Sequence, residues 1–189
     1  MKNVCAGVYN YVVNLPMWWQ GKWSRFYGAI IASAYFIYYA STASDLHFID
    51  YVNLVIHEAG HWIFLPFSEF MHVLGGSLFQ VLFPCLYVGY FYLRRDYFSA
   101  SMLIFWVGQN LANVSVYAAD AQGMQLPLLG GDTTMHDWNF ILLSLHAIQY
   151  TPRIAAVIYY LGIFTIAIAA IFSIYTSQID TPSSRATVS

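Results

Sequence analysis

Residues 57–61 read His57-Glu58-Ala59-Gly60-His61, two histidines four apart with a glutamate between them. On a helix this spacing puts both imidazoles on one face, a turn apart, with the carboxylate beside them. Paired imidazole nitrogens suit a Zn(II) ion, and the glutamate is placed to act as a general base toward water. The chain has six histidines, and its only glutamates are Glu58 and Glu69, so chance supplies such a pattern only about 0.002 times per chain of this composition. A competing structural reading makes His57 and His61 core residues paired with carbonyls or carboxylates, with Glu58 neutral or salt-bridged.

A catalytic zinc site holds three protein ligands and leaves a position open. The candidates for the third ligand are Asp120, Asp132, His136 and Asp137. Asp120 ranks first because it closes a polar stripe, described below. His136 is an alternate, an imidazole in a glycine-containing loop. Asp137 is another, though it also reads as the N-cap of a helix over residues 138–150, while Asp132 also reads as the residue holding the Gly130-Gly131 turn. The expectation is one zinc per chain. Tyr117, or else Asn113, is placed to donate a hydrogen bond to a developing oxyanion. His47, His72 and His146 read as interfacial or hydrogen-bonded groups.

The elements that must position these groups are helices. Asp50, Asn53, His57 and His61 recur at helical steps and form one polar stripe, and Asn110, Asn113, Tyr117 and Asp120 form another. Polar faces on lipid-spanning helices turn inward, so the two stripes are expected to face each other. Asn110 reads equally well as interhelical hydrogen-bond glue.

The surrounding composition is that of a membrane protein. Hydrophobic residues make up 59% and charged residues 8% of the 189 positions, where a soluble domain carries about 25% charged residues. Uncharged runs at 26–44, 70–93, 97–119 and 154–179 match the ~20 apolar residues that a bilayer requires. The expected fold is all-α and polytopic, with about five transmembrane helices in one domain over residues 26–176, in contact with the lipid bilayer. Within it lie a helix at 48–67 carrying the histidines, a turn at Gly75-Gly76, a helix at 97–119, a Gly/Pro loop at 121–137 and a short half-span. Residues 1–25, with Lys2, Lys22, Arg25 and three tryptophans, are expected to lie on the membrane, and 177–189 to be a disordered tail.

Five crossings put the Lys2/Lys22/Arg25 cluster and the Arg94/Arg95 pair on opposite faces, which splits the orientation signal. Cys5 and Cys85 make no disulfide scaffold, and seven dispersed Lys and Arg leave no stripe for nucleic acid. Nothing in the sequence speaks to oligomeric state.

The chain resembles the site-2 protease family of intramembrane zinc metalloproteases. His57-Glu58-x-x-His61 matches its H-E-x-x-H signature, and Gly75-Gly76 is similar to the glycine-bearing turn that follows. Asn113 to Ala121 approximates N-x-x-P-x-x-x-x-D-G, without the proline, one residue short, and with Ala for the final Gly. Leu126-Pro127-Leu128-Leu129-Gly130-Gly131 offers an alternative alignment that lacks the aspartate. The resemblance implies a zinc metalloprotease that hydrolyses peptide bonds in or near membrane segments of other proteins, with Glu58 as its base. The rival expectations are a non-catalytic or metal-binding subunit of a membrane assembly and an iron-dependent membrane hydroxylase or desaturase. The second needs more clustered histidines than this chain has.

Overall fold

The computed structural model describes residues 17–126 and 135–179, with side chains described from residue 22. Lys2, Cys5, Pro127, Gly130, Gly131, Asp132 and the tail from 180 onward lie outside the described residues. The described residues are all-helical: α1 (Met17–Ser41), α2 (Phe48–Phe64), α3 (Glu69–Leu93), α4 (Tyr97–Ala119), α5 (Asp137–Ser144), a 3₁₀ turn (Ile148–Tyr150) and α6 (Thr151–Ser177).

Local chemistry sets these boundaries. The Asp50 carboxylate accepts from the His47 backbone N–H at 2.8 Å, fixing the start of α2. Ser68 accepts from Met71 N at 3.2 Å to open α3, and Asp96 caps α4 through Ser99 N at 3.2 Å. Pro152 occupies the first turn of α6, where its missing N–H costs nothing.

Three boundaries depart most from the sequence expectation; one is that residues 138–150 are not a single helix, since α5 ends at Ser144 and the 3₁₀ turn Ile148–Tyr150 is separate. Gly75 and Gly76 form no turn; they lie inside α3, which already starts at Glu69. Glycine there serves close approach instead of reversal: a Cβ on Gly75 would stand 2.8 Å from the Gly60 carbonyl oxygen and 2.7 Å from Phe64 Cβ. The segment before Phe26 is also not a separate element from Met17 onward, because α1 runs through it without a break.

α4 lies at the centre and packs most extensively on α6. Gly108 and Gly162 make that contact close, since a Cβ on either would stand 2.8 Å from the other's carbonyl oxygen. α1 runs in the same sense as α4: Arg25 sits 5.7 Å over the Phe98 ring, Phe36 stacks on Phe105, and Tyr39 packs with Ala112. α3 runs against α4, pairing Gln80 with Asn113 and Phe83 with Trp106. α2 runs against α3, with Gly60 on Gly75 and His61 beside His72. The consecutive helices α1 and α2 therefore share one direction, whereas two successive crossings must alternate.

Among the described residues two helical stretches are long and apolar enough to cross a membrane, Glu69–Leu93 and Ile148–Ser177, fewer than the five crossings expected. α2 is only 17 residues long and carries Asp50, His57 and Glu58, and α4 is interrupted by Gln109, Asn110 and Asn113.

Candidate metal centre

The site forms where the second half of α2 meets the first half of α3 and the start of α5. α5 is held in place by Trp138, which is buried and donates its indole N–H to Ser77 Oγ on α3 at 3.1 Å. This anchor brings Asp137, the first residue of α5, onto the two histidines of α2. Asp137 Oδ2 lies 2.9 Å from His57 Nε2 and 3.2 Å from His61 Nε2. The three ligand atoms all fall within 4.8 Å of one another.

The outer nitrogens are fixed as well. His61 Nδ1 faces the His72 carbonyl oxygen at 2.9 Å, and His57 Nδ1 faces Gln80 Oε1 at 3.2 Å. Gln80 cannot turn its amide around without loss, because its Nε2 donates to Asn113 Oδ1 at 2.8 Å. Asn113 is oriented in turn by donating Nδ2 to Asp50 Oδ1 at 3.1 Å. Asp50 is pinned by further donors, Tyr39 OH at 2.8 Å and Gln109 Nε2 at 3.0 Å. A carboxylate only accepts, so this chain of bonds presents an acceptor oxygen to His57 Nδ1.

Both imidazoles thus face an acceptor on each side, whereas a neutral imidazole has one N–H. Charging both rings would place two cations side by side, their centroids 4.9 Å apart, at a cost in repulsion. The arrangement that satisfies every contact keeps the protons on the Nδ1 atoms and places a cation among the Nε2 lone pairs and Asp137. Metal-bound histidines usually anchor their other nitrogen on a carbonyl or carboxylate in this way. Gly76 leaves the room: a Cβ there would stand 2.5 Å from His57 Nε2 and 2.6 Å from His61 Nε2. The donor set of two imidazoles and one carboxylate therefore fits a metal ion.

Asp137 is buried, and α5 is too short to cross a membrane.

Of the other expected residues, Asp120 and His136 supply none of the three converging atoms. Asp120 stands outside the histidine group: its carboxylate accepts from Gln125 N at 2.9 Å and Leu126 N at 2.8 Å and lies 3.3 Å from His136 Nε2. His136 caps α5, its Nδ1 accepting from Asn139 N at 3.3 Å, so it holds the helix that carries Asp137. Tyr117 reaches the group, its hydroxyl accepting from Asp137 N at 3.2 Å. Asn110 turns back to the Trp106 carbonyl at 3.0 Å instead of facing α2. Elsewhere the two polar stripes do meet, through Asp50, Asn53, Gln109 and Asn113.

Beside the group opens a cavity of about 890 Å³ lined by Glu58, Tyr117, Trp62, Leu54, Leu65 and others. Among the described residues Glu58 has no hydrogen-bond or ion-pair partner. Gln80, the His72 carbonyl and Gly76 are the contributors that sequence reasoning missed. A lone glutamine within an apolar helix, as Gln80 is, was the available signal.

No family model, curated protein or solved structure matches the chain.

Proposed function

We propose that the protein is a membrane-embedded zinc metalloprotease that hydrolyses peptide bonds in or near membrane segments of other proteins. The observation that carries this reading is the convergence of His57 Nε2, His61 Nε2 and Asp137 Oδ2 beside Glu58 on one cavity. His57, His61 and Asp137 would hold the ion, which when bound supplies Lewis-acid chemistry, acidifying water and polarising a carbonyl.

The chain's own groups do the rest. The Glu58 carboxylate takes a proton from the attacking water and delivers it to the leaving amine. The Tyr117 hydroxyl uses its oxygen to accept from Asp137 N, which leaves its hydrogen for the developing oxyanion. Leu54, Trp62 and Leu65 give the cavity apolar walls suited to a hydrophobic segment.

Membrane embedding is supported by the two long apolar helices and by outward-facing Ile31, Ile37, Val157, Phe164 and Ile171, each at least 59% exposed. So much exposed apolar surface calls for lipid cover.

The test pairs metal analysis with cleavage of a quenched fluorescent single-span peptide in detergent. Wild type should hold about one zinc and cleave; Glu58→Gln should hold zinc and lose at least ~100-fold in rate. A fully active Glu58→Gln protein, or a metal-free wild type, sinks the reading; the latter leaves a structural membrane subunit.

A further inference from the structure

Four of the five described Lys and Arg residues are gathered at one end of the bundle. Arg94 and Arg95 follow the end of α3, and α4 begins beside them at Tyr97. Arg25 reaches this same end, lying over the Phe98 ring, and Lys22 is one turn earlier on α1. α6 finishes there too, with Thr176 Oγ1 3.2 Å from Ser101 Oγ. At the opposite end lie the Asp137 group, Asp120, Glu69 and the start of α6. Of the described Lys and Arg residues only Arg153 is at that end, two residues before Ala155, which packs with Val114, Ala118 and Trp138.

The sequence alone split the two basic clusters between opposite faces because it counted α1 and α2 as successive antiparallel crossings. The shared direction of α1 and α2 removes that alternation and puts Arg25 beside the α3–α4 turn. Lys and Arg close to the ends of membrane helices are retained on the cytoplasmic side, where anionic headgroups also attract them.

We infer that the end bearing Lys22, Arg25, Arg94 and Arg95 faces the cytoplasm, and that the metal group with its cavity opens toward the other side of the membrane. This rests on the membrane reading above. It defines the substrate class further: the attacked segment is reached from the non-cytoplasmic side. The cavity presents Asp45, Glu58 and Glu69 to it, and no Lys or Arg lies among the described residues of its wall.

Residues at the two ends of one apolar helix provide the test. Gln149 precedes α6 and Gln178 follows it, and both are exposed. Each is replaced singly by Cys in full-length protein whose Cys5 and Cys85 are changed to Ala, with expression in bacterial inner membrane and treatment of intact spheroplasts with a membrane-impermeant maleimide. The expected result is labelling of Gln149→Cys in intact spheroplasts and of Gln178→Cys only after lysis. The reverse pattern overturns the orientation while leaving the protease reading intact. Labelling of both before lysis overturns it by showing that α6 does not span. Zinc content of the same variants, read separately, reports on the metal centre whichever pattern appears.

Discussion

Gly76 lies against the imidazoles of His57 and His61, so close that a Cβ would meet both Nε2 atoms at 2.5 and 2.6 Å. Gly76→Ala should therefore remove zinc binding, although alanine favours a helix by about 1 kcal/mol over glycine. Metal analysis beside circular dichroism checks this: unchanged helicity with lost zinc is expected, and full zinc occupancy would show that the space is not the ion's.

The third ligand separates two aspartates. Asp137→Ala should lose the zinc that wild type holds. Asp120→Ala should retain it, while turning the exposed Gln125 and Leu126 N–H groups to water at a cost of about 0.5–1.5 kcal/mol. Zinc stoichiometry and thermal midpoints of the two variants, compared side by side, decide the matter; zinc lost only in Asp120→Ala would reverse the assignment.

Gln80 fixes His57 without belonging to the converging group. Gln80→Leu removes the acceptor at Nδ1 and should weaken zinc binding by roughly 10–100-fold. Gln80→Glu, which keeps an acceptor oxygen there, should recover much of that affinity. A chelator competition titration measures both, and equal affinities for the Leu variant and wild type would dismiss the relay from Asp50 through Asn113.

The α2–α3 contact tolerates no side chain at its crossing. A Cβ on Gly60 would collide with the Gly75 carbonyl and stand 2.8 Å from Phe79 Cβ. Gly60→Val should separate the two helices, lower the thermal midpoint and lose zinc together, since His57 and His61 are carried by α2 and their outer partners by α3. Gly89→Ala has open space around it and serves as the control, with little change expected in either measurement.

Much of this was legible locally. Spacing along one helix places His57 and His61 on a common face with Glu58 beside them wherever that helix goes, because a turn of 3.6 residues is a property of the backbone. Composition likewise dictates helices with apolar exteriors, and the Asp50 to His61 stripe marks the face that turns inward. Gly75-Gly76 misled because glycine signals a turn and a close helix crossing with the same letters.

Local pattern alone placed two imidazoles on one helical face with a carboxylate beside them, in an all-helical, strongly apolar chain. Only the tertiary structure chose Asp137 over Asp120, because a third ligand is selected by which loop returns to the histidines, and the Trp138–Ser77 bond brings back α5. It also gathered Arg25 and Arg94 at one end. Helix direction is set by long-range packing, such as Phe36 on Phe105 and Gly60 on Gly75, and no local pattern encodes it.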